Sequence, residues 1–504
     1  MRNIISIFSD QKCEYNSKAP YNPIRDYAEY PFSEKNIERN FKGTTDGYDA
    51  VRRLFVLMKL DEPNFGNTKW NPLGEIVRPG QNVVIKPNFV LHTNEGGEDI
   101  YAVLTHPSIL RAIADYCIIA LKGEGTLSII EAPQMDCQFE QIERLMFLKS
   151  IQEFYKINAG IDFQIIDIRK IKCEYDYKKN TFPAESFKYD EYADPRGYQI
   201  VDLGKNSLLD GLVNLQNLYG ADFDRRFTVE NHTKGVHKYC ISKSILDADT
   251  IICVPKMKTH KKVGVTLNIK LLVGINGDKN YLAHYRVGSI SEGGDEFPDP
   301  TSREEKISRK ISRNIQDHLL VRRSRLFDIA WLLLRKITKL IIYFPEYFGL
   351  TSFNSKKLLA GGNWYGNDTA WRMALDLAKI ALYCDKNGKL SNIKQRNLFS
   401  VVDGITAGEG DGPMAAMPKR IGILIGGGDI LAVDTAACTL MGFDYKKVPM
   451  LRESWNLSKH RIAQNNFENI MVASNDPTLD GRRIDEVFKY KFLPHRNWKG
   501  HIEY

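Results

Sequence analysis

Asn82-Val83-Val84-Ile85-Lys86-Pro87-Asn88 is an apolar run too short for a helix, preceded by the chain-breaking Pro79-Gly80 and closed by a proline. No polar residue alternates through Val83-Val84-Ile85, so both faces of this strand are expected to be covered, as in a parallel sheet. Downstream, Pro107 to Leu121 reads as a helix, with Thr105 or His106 near its cap and Pro107 suited to its first turn. A strand from Thr126 to Ile130, a helix from about Phe139 to Tyr155 and a strand from Phe163 to Ile168 continue the alternation. Strand, helix, strand, helix, strand with uniformly apolar strands predicts an α/β fold: a mostly parallel, doubly wound sheet with helices on both faces.

The pattern extends outward from there. Upstream, the stretch Met1 to Asp10 reads as a first strand, its apolar run too short for a signal-peptide core and closed by Asp10 and Lys12. Val51, Leu54, Phe55 and Met58 place a helix over Asp46 to Leu60. Residues 170–235 are polar and aromatic and suggest a short antiparallel subdomain. Regular signals resume with helix Ser242 to Asp247 and strand Thr250 to Val254. Strands follow at Leu398 to Val402, Ile421 to Ile425 and Asn469 to Ala473, with a helix from Ile430 to Met441. The expected organisation is an N-terminal strand and loop over 1–45, an α/β core over 46–302 and 360–504, and an insertion at 303–350.

A chain of 504 residues with 43% hydrophobic and 26% charged content has ample material for a core. The net charge of +8 is local: residues 303–339 hold eleven Lys/Arg against four Asp/Glu. The rest is close to neutral, which argues against a nucleic-acid footprint. From Leu326 to Phe344 the insertion reads as a helix on which Asp328, Arg335 and Lys339 share a stripe at about 100° per residue. Such a helix can pack on the core or on a second subunit, or lie through 303–344 on an anionic membrane surface. Four charges argue against a span. The expected location is the cytoplasm, with the inner membrane face as the alternative contact. The eight cysteines are never closer than thirteen residues, so no zinc or iron–sulfur spacing exists and buried free thiols are expected.

Four segments carry chemistry. Lys86 and Asn88 leave a strand at the edge where open α/β sheets place ligands. Lys256, Lys258, Thr259 and His260 leave the next apolar strand within five residues. That cluster suits a phosphate or carboxylate, with His260 able to move a proton; a solvated cationic loop is the plainer reading. Asp403-Gly404 through Gly412-Pro413 interleaves glycines with Asp403, Glu409 and Asp411. These can hold a divalent cation or exchange protons, or form an acidic turn. Gly426-Gly427-Gly428 runs into a helix whose first amides can hold phosphate, with Asp429 as a plain N-cap and Asp434 as a further metal-ligand candidate.

These segments resemble the domain of unknown function 362 family. The resemblance rests on Lys86-Pro87-Asn88, Thr105-His106-Pro107, Val254-Pro255-Lys256-Met257-Lys258-Thr259-His260 with Val263-Gly264-Val265-Thr266, and Trp364 to Arg372. It also rests on Val402-Asp403-Gly404 through Pro413 and the Asp434 helix ending at Gly442. It implies no reaction, and brings His106, Asn367 and Asp368 into the substrate-binding set. Some relatives carry an appended ferredoxin-like module; this chain has no such motif. Where the family usually shows Lys-Asn, this chain has Lys270-Leu271. The expected function is an enzyme acting on a small anionic substrate. Lys86, Lys258 and Lys270 would hold the anion, His260 would serve as acid/base, and Asp403, Glu409 and Asp411 would bind a cation. The alternatives are a non-catalytic binding or assembly protein and a metal-dependent redox protein.

Overall fold

The computed structural model describes residues 4–32, 45–161, 163–174, 184–220, 225–299 and 361–504, with Asp176 and Leu333 standing singly. The basic insertion expected at 303–350 lies, apart from Leu333, outside the described residues.

Ten strands form one sheet: β1 (Ile4–Ser9), β2 (Asn82–Pro87), β3 (Thr126–Glu131), β4 (Phe163–Asp167), β5 (Thr250–Val254), β6 (Lys256–His260), β7 (Gly264–Val265), β8 (Asn397–Asp411), β9 (Ala415–Gly427) and β10 (Met471–Ser474). Their order is β10-β1-β9-β8-β5-β2-β3-β4, with β6 beside β8 and β7 beside β6. The run β8-β5-β2-β3-β4 is parallel, as the apolar strands predict. In β5 the side chains divide between two cores. Ile251 and Cys253 join α6 (Ala370–Tyr383) and α7 (Ile430–Leu440), whereas Ile252 and Val254 join α1 (Gly47–Leu57), α2 (Pro107–Leu121) and α4 (Leu148–Asn158). A strand buried on both faces must be apolar at every position. The N-terminal β1 sits inside the sheet, between β9 and β10.

The helix expected over 139–155 is two helices, α3 (Phe139–Leu145) and α4, because Phe147 takes the left-handed conformation between them. Antiparallel pairing does involve the stretch 170–235, but its central strand lies beyond that range: Val236–Ser242 pairs antiparallel with Tyr198–Asp202 and with His232–Thr233. All eight cysteines are buried and free. Among the described residues no helix is long and apolar enough to cross a membrane.

Two expectations are overturned. Lys256–His260 does not leave a strand as a cationic loop but is itself the buried strand β6 beside β8, because Lys256, Lys258 and Thr259 find partners inside the fold. The Gly/Asp segment is not a strand-end loop but the second half of β8, paired antiparallel with β9 from Ser400↔Gly427 to Asp411↔Ala415. Its glycines serve close packing: a Cβ on Gly408 would collide with the Ala102 carbonyl, and one on Gly412 with that of Thr259. Small residues here let neighbouring backbone approach the strand. The chain turns only at Gly412-Pro413.

Candidate functional site

A cavity of about 630 Å³ opens where β2, β3 and β6 end, the edge of a parallel sheet where loops converge. It is lined by Asn88, Glu131 and the 132–136 loop, by His260, Lys261, Lys262, Lys270, Lys279 and His284, and by Tyr219, Tyr285, Asn363 and Pro413-Met414. Four lysines therefore face two carboxylates, Glu131 and Asp136. Glu131 is already engaged: it accepts from the Lys86 ammonium and from the amides of Phe89 (3.0 Å) and Ala132 (2.9 Å). The cavity's net charge is positive.

Each wall is fixed by its own local chemistry. Arg169, buried, pairs with Asp167 and donates to the carbonyls of Gln134 and Met135, which holds the loop after β3. Lys270 lies in the short helix α5 (Leu267–Leu271). Asp434 clamps the start of α5 by accepting from the Asn268 amide (2.8 Å), the Ile269 amide (2.9 Å) and the Asn268 side chain (2.6 Å). Lys279 donates to the Ala132 carbonyl (2.7 Å) and Lys262 to that of Gly361. Tyr219 and Tyr285 stack at 5.2 Å along one side. Gly274 packs against the Lys86–Glu131 pair, where a Cβ would collide with Glu131 Oε1 and stand 2.7 Å from Lys86 Nζ. Gly274→Ala is accordingly expected to cost about 1–3 kcal/mol through overpacking and to weaken any ligand of the cavity. Denaturant melts of the variant check the first effect.

Burial dominates the electrostatics. It lowers Lys262 and Lys279 to about 7 and Lys270 to about 8, with neighbouring lysines adding to the shift. Burial, then the surrounding lysines, also pushes His260 and His284 well below the ordinary imidazole value. Both rings are therefore neutral near pH 7, and their hydrogen bonds assign opposite tautomers. His260 Nδ1 accepts from the Lys262 amide (3.0 Å), which leaves the proton on Nε2. His284 Nδ1 meets the Leu282 carbonyl (2.9 Å), so it carries the proton and its Nε2 keeps a free lone pair. One imidazole can donate to a ligand and the other can accept. Asn88 adds a buried side-chain oxygen without a hydrogen-bond partner.

Of the residues singled out from sequence, Asn88, His260 and Lys270 line the cavity, and Lys86 stands behind it through Glu131. Lys258 is buried and donates to the Val103 carbonyl (2.6 Å). Thr259 donates to the Gly410 carbonyl (2.8 Å).

The remaining candidates belong to other places. Asp403 is buried with Lys256 (2.7 Å), the Tyr15 hydroxyl (2.6 Å) and the His106 amide (3.0 Å), and the Tyr15 ring stacks on His106. His106 also caps α2. Asn367, just before α6, accepts from the amides of Thr369 and Ala370, while Asp368 pairs with Arg372 and Arg286. Gly426 makes room for Met58 and Gly427 lies in the β8–β9 ladder; neither lines the cavity.

The expected cation set does not assemble. Glu409 pairs with Lys419 (2.8 Å) and Asp411 with Arg496, while Asp403 and Asp434 hold the partners just described. Among the described residues no three His, Cys, Asp or Glu side chains are grouped as metal ligands. These residues do not fit a divalent cation, because opposed lysines, arginines and amides already occupy their oxygens.

Sequence reasoning left Lys261, Lys262, Lys279, His284 and Glu131 out of the site. Lys261 and Lys262 directly continue the Lys-Thr-His run, so composition alone could have extended it. Glu131 closes a strand and lies 45 residues from the lysine it neutralises, a pairing no local pattern encodes.

The family model described as domain of unknown function (DUF362) matches residues 202–439. No curated protein and no solved structure matches the chain.

Proposed function

We propose that the DUF362 part of this chain, residues 202–439, joins the ends of β2 and β3 to form the site of an enzyme acting on a small phosphorylated or carboxylated substrate. The observation that carries this reading is the set of four lysines around one cavity whose principal carboxylate is already neutralised by Lys86. Ammonium groups brought together without counter-charges repel one another, and an anion entering between them relieves that cost. Lys262 and Lys279 would attract the anionic group and Asn88 would orient it. The two imidazoles favour an enzyme over a binding protein without turnover. A neutral Nε2–H on His260 can polarise an oxygen, while the His284 lone pair can take a proton.

Thermal unfolding of the full chain with inorganic phosphate, citrate and a panel of phosphorylated and carboxylated metabolites tests the reading. A bound anion at about 100 times its Kd stabilises by about 2.7 kcal/mol, and Lys279→Met should remove most of that gain. If no anion raises the unfolding temperature, the proposal fails. If an anion binds but no turnover of any bound metabolite is detected, the non-catalytic alternative takes its place.

A further inference from the structure

We propose that Lys270 is a nucleophile that forms an imine with a carbonyl-bearing anion, such as a 2-oxo acid or a phosphorylated aldehyde or ketone. This inference rests on the reading of the cavity as an anion site and names the substrate class within it. The lysines around the cavity are not equivalent. Lys86 is spent on Glu131, Lys258 on the Val103 carbonyl, Lys262 on the Gly361 carbonyl and Lys279 on the Ala132 carbonyl. Lys261 has the Glu95 carboxylate as counter-charge. Among the described residues the amines of Lys261 and Lys270 line the cavity without a hydrogen-bond acceptor, and the carboxylate near Lys270, Glu131, is already paired with Lys86.

Its surroundings suit nucleophilic attack. Leu271, Val273, Gly274 and Leu282 line the same cavity, and an amine in apolar surroundings beside other cations keeps more of its uncharged, nucleophilic form than an exposed lysine does. The helix that carries Lys270 is fixed by Asp434, so the amine is positioned rather than trailing from a loop. Lys262 and Lys279, each already hydrogen-bonded to a carbonyl and protonated as the anion enters, supply cations for the carboxylate or phosphate of the substrate, and His260 Nε2–H is a donor for its carbonyl oxygen.

The step balances without a co-reactant. The Lys270 nitrogen attacks the carbonyl carbon, and the C=O π pair moves to oxygen. Both nitrogen protons then pass to that oxygen, one of them able to travel by His284 Nε2. The C–O bond breaks, water leaves, and a C=N bond joins Lys270 to the substrate.

The test uses the full chain with glyoxylate, and separately pyridoxal 5′-phosphate, each followed by borohydride reduction and peptide mapping. At about pH 7.5 Lys270 should be trapped on the order of 100-fold faster than an exposed lysine, because far more of its amine is uncharged. Inorganic phosphate should suppress this trapping, and Lys270→Arg should abolish it. Label spread evenly over exposed lysines, or placed on Lys262 or Lys279 with Lys270 unmodified, overturns the proposal. Thermal stabilisation by phosphate, read on the same protein, separates the two ideas. Stabilisation without trapping defeats the imine alone, whereas no stabilisation defeats the anion reading on which it rests.

Discussion

Lys86→Met is expected to destabilise the protein by about 3–5 kcal/mol, the ordinary result of removing one partner from a buried ion pair. Lys86 is fully buried and Glu131 is 4% exposed, so the abandoned carboxylate cannot turn to water. Its two backbone donors, Phe89 and Ala132, hold it in place without neutralising it. Adding Glu131→Gln should recover more than half of the loss, because an amide at that position carries no charge and still accepts one of the backbone bonds. Urea melts of the two single variants and the double variant give the coupling. A Lys86→Met loss below about 1 kcal/mol would mean that the ion pair with Glu131 does not carry the stability assigned to it. The pair stands behind the cavity, so its loss should also redistribute charge at the proposed site.

Anion affinity is expected to fall by roughly 100-fold or more between pH 6 and pH 9. In the free protein Lys262 and Lys279 titrate at about 7 and Lys270 at about 8. A bound anion favours the ammonium form and raises all three values, so binding takes up protons in this range. Affinity is then highest below about pH 6, where the amines are already charged. It declines as pH rises through their free values, by up to tenfold per pH unit for each proton taken up. Titration calorimetry with phosphate in buffers of different ionisation enthalpy measures the uptake directly. An affinity constant across this range would show that these lysines do not meet the anion. The unliganded fold carries the opposite dependence. Its depressed lysines bind fewer protons than the unfolded chain, so stability rises as pH climbs from about 7 towards the ordinary lysine value of about 10.4.

The strands and helices were largely legible because their signals are local. Val83-Val84-Ile85 and Ile251 to Val254 are apolar at every position, as a strand covered on both faces requires. Pro107 and Leu121 bound α2 as the helix-start signals predict. The first half of β8 was legible for the same reason; its continuation was not. Glycines and carboxylates from Asp403 to Asp411 resemble a loop by composition, yet Lys256, Lys419 and Arg496 satisfy the charges and close backbone contacts require the glycines.

The site divides along the same line. Sequence by itself determined an α/β core, and it placed Lys86 and Asn88 at a strand end, because hydrophobic periodicity and chain breakers act over a few residues; that the Lys-Thr-His run is itself a strand it did not show. Only the tertiary structure decided which of those groups share a cavity. Asp403 pairs with Lys256 across 147 residues and Glu131 with Lys86 across 45, and each pairing takes a charge out of the candidate set. Tertiary packing also brought Lys279 and His284 to the same cavity as Lys270. Charge neutralisation depends on distance in space, and separation along the chain does not report it.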